Sequence, residues 1–141
     1  MYLKQLSVFV ENKPGAVYAP CDVLAEAGVN LSSLSLADTK DFGILRVITK
    51  DVEKAVEALR AKNYAVRQTD VLAVEIEDVP GALSKVLKAL EEKSLDVQYM
   101  YAAVGVSGKP VMIFRFENAE HALEKLKETD CRLVDSTTFF A

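Results

Sequence analysis

Apolar and polar positions alternate with period two over "LSVFVE" at residues 6–11, placing Leu6, Val8 and Val10 on one face of a strand. The period then lengthens. Val17, Cys21, Leu24 and Ala27 recur at helical spacing, and Gly28 stands where a helix stop is expected. A helix opening near Ala16 puts Pro20 close to its first turn, where a missing N–H matters least; a local kink is the alternative. Two β-rich runs, "VNLSSLSLAD" and "FGILRVIT", flank the turn-forming "TKD" and predict a hairpin. Val52, Ala55, Val56 and Leu59 predict a second helix, and a short strand follows around Tyr64 to Gln68. The resulting order is βαββαβ.

The pattern then starts again. A shift that lays Asn12 on Asp78 also lays Leu6, Val8 and Val10 on Leu72, Val74 and Ile76, Pro14 and Gly15 on Pro80 and Gly81, and Val29 on Leu95. The second copy predicts a strand from Val71 to Glu77 and a helix from Ala82 to Lys93, with Leu83, Val86, Leu87 and Leu90 inward. A hairpin across "GVSGKP" follows, then a helix with Ala119, Ala122, Leu123 and Leu126 inward, and a last strand near Arg132 to Asp135. The period is too long for a solenoid repeat, so each copy is expected to be a small domain, residues 1–69 and 70–141, with the boundary near Thr69 to Val71. The fold class expected is α+β: two ferredoxin-like units, each an antiparallel sheet with both helices on one face.

Composition narrows the function. Half of the 141 residues are apolar, enough to bury a core, and the net charge of −4 comes without a Lys/Arg run, so a nucleic-acid partner is not expected. The N-terminal apolar stretch alternates as a strand does and is too short for a signal peptide, and no stretch approaches the roughly 20 apolar residues of a membrane span. Cys21 and Cys131 stand far apart with no CxxC spacing, which fits a reducing, cytoplasmic setting with neither a disulfide framework nor a zinc site.

The repeated Pro-Gly turn is the main candidate for chemistry. Proline holds the residue before it extended, glycine opens the backbone to close approach, and the following helix presents unpaired N–H groups and its positive dipole end. A small carboxylate suits that place. Asn12 or Asp78, two residues before the proline, offers a side-chain oxygen to an ammonium group, so the two features together describe an α-amino acid. The plain alternative is a common turn in which Asn or Asp caps the helix.

The motifs "VFVENKPGAV" with "AEAGVNLSSLSL", and "VEIEDVPGAL" with "EEKSLDVQYMYA", resemble a tandem pair of ACT domains, over essentially the whole chain. Ser94 stands where the family often has Gly, and Asn12 where Asp is commoner, which distinguishes the two sites. The resemblance implies small-molecule-sensing regulatory modules that pair side by side through their second strands into an eight-stranded sheet, with amino acids bound at the seam. It implies one site joining Asn12, Lys13, Pro14, Gly15 and Ala16 to Asp96 and Val97. A reciprocal site joins Asp78, Val79, Pro80, Gly81 and Ala82 to Asn30 and Leu31. No cofactor is implied, and the partner expected is an enzyme of amino-acid metabolism.

Other chemistry is weaker. "KDFGILRV" at residues 40–47 has a poor likeness to an RNA-recognition strand, because Asp41, Leu45 and Val47 stand where glycine and stacking aromatics belong. "GVSGKP" lacks the spacing of a phosphate loop. His121 with Glu117, Glu120 and Glu124 is one histidine on a solvated helix face, not a ligand set, and neither cysteine has an evident base beside it. No catalytic residue is assigned. Arg46 and Arg115, flanked by Ile44 and Ile113, fall on the helix-free faces, part apolar and part basic, which suggests a homodimer or a partner protein. The expected function is a non-catalytic amino-acid sensor; the alternative is an interaction or dimerisation adaptor with vestigial ligand sites.

Overall fold

The computed structural model describes residues 2–38, 41–105 and 108–141. Two compact units emerge, Lys4–Thr69 and Asp70–Ala141 with the first residues through Leu3. Each is taken in turn. Most of the expected "TKD" turn and the middle of "GVSGKP" (Thr39, Lys40, Val106 and Ser107) lie outside the described residues.

In the first unit the elements run β1 (Leu3–Glu11), α1 (Tyr18–Glu26), β2 (Ser33–Asp38), β3 (Phe42–Ile48), α2 (Val52–Ala61) and the start of β4 (Val66–Glu75). The sheet order is β2-β3-β1-β4, with β3 antiparallel to both of its neighbours. Register sets the faces: Leu45 lies opposite Val8 on one side and Leu36 on the other, so these three point to the helix-covered side. Leu6, Val8, Val10, Leu45 and Val47 from the sheet meet Leu24, Ala55, Val56 and Leu59 from the helices in one core. Each such large side chain, fully buried, contributes about 1.5–3 kcal/mol. Pro20 is the third residue of α1 and is buried in its first turn, so no kink is needed to house it. The helix opens at Tyr18, two residues later than expected, because Pro14 to Val17 form a turn instead.

The end of α1 shows why Gly28 is there. The Gly28 N–H donates to the Ala25 carbonyl and the Val29 N–H to the Leu24 carbonyl, with Gly28 at φ +75°, a paired closure that requires one left-handed residue. The same closure ends α2 at Asn63 (φ +67°).

The second unit contains the rest of β4, then α3 (Ala82–Glu92), β5 (Tyr99–Val104), β6 (Pro110–Arg115), α4 (Ala119–Leu126), β7 (Arg132–Val134) and α5 (Ser136–Phe139). The order here is β7-β4-β6-β5, all antiparallel, matching the first unit strand for strand. Leu72, Val74, Val86, Leu90, Phe114, Phe116 and Leu126 form its core, and Tyr2 packs against it from the other end of the chain. Partial burial, helped by the carboxylates of Glu120, Asp70 and Glu124, pushes the Tyr2 phenol above its ordinary pKa.

Two further features differ from the sequence expectation. The strand expected around Tyr64 to Gln68 and the strand expected from Val71 are one uninterrupted β4, because nothing between Val66 and Glu75 breaks extended backbone. After β7 a short α5 appears, its start held by the Asp135 carboxylate accepting the Thr138 N–H at 2.8 Å, and it delivers Phe139 into full burial. On the helix-free faces Ile113 is buried, while Ile44, Arg46 and Arg115 are half-buried.

Candidate functional site

Both Pro-Gly turns adopt the same backbone. Gly15 has φ +86° and Gly81 φ +85°, and a Cβ built on either would meet nothing within 4 Å. Glycine is therefore required by the left-handed conformation and not by crowding from this chain. The space over each turn stays open. Behind it the backbone closes alike: Ala16 N–H to Lys13 carbonyl and Ala19 N–H to Gly15 carbonyl in one copy, Ala82 N–H to Val79 carbonyl and Lys85 N–H to Gly81 carbonyl in the other.

Neither α1 nor α3 has a side-chain cap, whereas α4 is capped by Asn118, whose oxygen accepts the His121 N–H at 3.0 Å. The capping role considered for Asn12 and Asp78 is thus not how these helices begin. In α1 the Ala19 N–H is taken by Gly15 and Pro20 has none, which leaves Tyr18 of its first three residues for an outside acceptor; in α3 Ala82 and Lys85 are taken, which leaves Leu83 and Ser84.

The side chains before the glycines differ between copies. Asn12 donates from Nδ2 to Asp38 Oδ1 at 2.9 Å, tying the first turn to the end of β2. Gly43, between Val10 and Asp38 in the register, leaves room for this: a Cβ there would sit 3.3 Å from Asn12 Oδ1. Lys13 pairs with Glu11 at 2.8 Å, and through that hydrogen bond the glutamate pKa falls and the lysine pKa rises, both groups being well exposed. Pro14 is exposed and Ala16 half-buried. In the second copy Asp78, Val79, Pro80 and Gly81 are exposed and Ala82 opens α3. Asp78 makes no side-chain hydrogen bond or ion pair among the described residues.

The remaining residues of the expected sites lie between helix and second strand of each unit. Asn30 is exposed, and its carbonyl accepts the Thr49 hydroxyl at 2.7 Å; Leu31 packs on the first core. Asp96 is exposed, and Val97 packs on the second core.

The second turn opens on a cleft of about 790 Å³. It is lined by Val79 to Ala82 and the α3 segment running to Lys93, by Glu128 to Cys131 of the α4–β7 loop with Arg132 of β7, and by Glu75, Ile76 and Glu77. The α4–β7 loop and Lys85 were not among the residues expected from sequence, nor were Asp38 and Gly43 in the first unit. No spacing rule connects them to the turns.

A family model for the ACT domain pair matches residues 1–139. The chain belongs to that family. Protein BT0572 from Bacteroides thetaiotaomicron is similar over 99% of this chain and 96% of its own, at 38% identity and a TM-score of 0.89. The regulatory subunits of aspartate kinase from Thermus thermophilus, in ligand-free form, and from Thermus flavus share the fold at 17% identity and a TM-score of 0.62. They cover 89% and 91% of this chain, and 91% and 92% of their own. No curated protein matches. As an ACT domain pair the chain is of a regulatory domain type.

The competing readings for this ACT domain pair find no further support. His121 is exposed near the start of α4, and no group of three metal-ligating side chains occurs among the described residues. Cys21 is half-buried, and burial pushes its thiol above the ordinary pKa, away from the reactive thiolate. Among the described residues no helix is long and apolar enough to cross a membrane.

Proposed function

We propose that this ACT domain pair is a regulatory sensor of a small L-amino acid, without a catalytic site of its own, acting in the cytoplasm on an enzyme of amino-acid metabolism. The observation that carries the reading is the matched pair of left-handed glycines, Gly15 and Gly81, each in an open turn just ahead of an uncapped helix. The ligand carboxylate would rest on the backbone of the turn and its ammonium on Asp78 or the Asn12 oxygen. The sites would be completed at a seam between paired units, by Asp96 and Val97 for the first turn and Asn30 and Leu31 for the second, in a homodimer. Ligand would then shift the population of paired states.

The adaptor alternative retains one specific support: Asn12 is already tied to Asp38, which suits a vestigial first site. Thermal unfolding of the purified protein against each of the twenty amino acids separates the two. A ligand at about a hundred times its Kd stabilises by roughly 2.7 kcal/mol. A shift confined to one chemical group of amino acids supports the sensor; no shift with any of them favours the adaptor.

A further inference from the structure

The first Pro-Gly turn is fastened to its own sheet. Asn12 donates from Nδ2 to Asp38 Oδ1 at 2.9 Å, and the oxygen of the same amide lies against Gly43, 3.3 Å from where a Cβ on that residue would stand. Val10 and Leu36 side-chain atoms, 3.3 and 3.4 Å from the same point, close it in from either side. A side chain at position 43 would crowd the amide and loosen its bond. Donor on the turn, acceptor at the end of β2 and bare backbone on β3 therefore make one clasp.

The second copy departs at all of these positions. Val74 pairs with Met112 as Val8 pairs with Leu45, so the register carries Gly43 onto Pro110 and its β2 partner Asp38 onto Val104, the β5 partner of Pro110. Asn12 corresponds to Asp78. An aspartate carboxylate has no N–H to give, valine has no oxygen to accept, and proline carries a Cβ where the amide would rest. Any one of these differences undoes the clasp. Since the second unit reaches the same strand order without it, folding does not demand it.

The clasp acts on the atom that a ligand ammonium would use. In the first turn the Asn12 oxygen is held against β3 by the bond that its nitrogen makes. In the second, Asp78 is exposed, with no side-chain hydrogen bond or ion pair among the described residues, and a carboxylate holds an ammonium more strongly than a neutral amide does. We propose that the Asn12–Asp38 clasp is an autoinhibitory contact that closes the first turn to ligand, so that each chain senses one amino acid, at the second turn. The inference rests on the amino-acid-sensor reading and adds its stoichiometry and the contact that sets it.

Isothermal titration of the intact protein with each of the twenty L-amino acids tests it. Titrated alongside are Asn12→Asp/Asp38→Val, which gives the first turn the side chains of the second, Asp38→Ala, which removes only the acceptor, and Gly81→Ala; ligand-free melting checks that each folds. The parent is expected to bind one ligand per chain, Gly81→Ala to lose at least tenfold in affinity, and both unclasped variants to bind two per chain. Two ligands per chain in the parent, or undiminished binding by folded Gly81→Ala, overturns the clasp and leaves the sensor standing. So does a single ligand per chain in the folded unclasped variants. Absence of binding by any of the twenty, to parent and variants alike, overturns both.

Discussion

Asn12, just past the end of β1, and Asp38, the last residue of β2, are joined by a 2.9 Å hydrogen bond from amide to carboxylate. Its counterpart does not exist in the second copy, where the matched residues are Asp78 and Val104. The two turns therefore share a backbone and differ in what their side chains are free to do. Asn12→Asp sets two carboxylates against each other where a donor had met an acceptor. The variant is expected to melt below the parent at pH 7, with the deficit shrinking at pH 4 as protonation relieves the repulsion. A deficit independent of pH would show that the bond contributes through geometry alone.

Ser94 occupies the left-handed position that ends α3, at φ +55°, in the closure that Gly28 serves for α1 at φ +75°. A residue with a Cβ is strained there, by about 1–2 kcal/mol, of which the greater freedom of unfolded glycine returns part. Ser94→Gly is expected to stabilise by about 0.5–1 kcal/mol, and Gly28→Ala to destabilise by about 1 kcal/mol. Urea titrations of the two variants beside the parent measure both.

At Gly81, Ala costs about 1–2 kcal/mol of backbone strain without any clash, since a Cβ meets nothing within 4 Å. Ligand affinity should suffer more than stability, because the added methyl group enters the space proposed for the ligand. Parallel melting and titration of Gly81→Ala decide this; affinity retained in the folded variant would remove the turn from the site.

Asp135 accepts the Thr138 N–H at the start of α5, and that hydrogen bond holds its carboxyl below the ordinary value of 3.8. A carboxylate with a depressed folded pKa stabilises above its unfolded pKa, and the contribution disappears as pH falls through the folded one. Asp135→Ala is therefore expected to lower the melting midpoint at pH 7 and to match the parent near pH 2. Amide exchange at Thr138 and Phe139 locates the change in α5.

Local physics made most of the architecture legible. Leu6, Val8 and Val10 announce a strand by their period, Ala55, Val56 and Leu59 a helix, and Gly28 a stop, because each signal depends on neighbours a few residues away. The repeat carried the ACT resemblance in the same way, through Pro14-Gly15 and Pro80-Gly81. Long-range decisions left no such trace. Whether Asn12 would cap α1 or reach Asp38 depends on how the β2 end is registered against Gly43, and no rule of spacing contains that.

By itself, then, the sequence determined the order of strands and helices, the duplication, the cores of both units and the two glycine turns, since backbone preference and burial periodicity are written residue by residue. Only the tertiary structure decided that β4 runs unbroken, that α5 turns Phe139 inward, that Asp38 holds Asn12, and that Glu128 to Arg132 line one cleft with the second turn. These depend on which distant segments meet once the cores have formed, and the packing of the whole unit sets that.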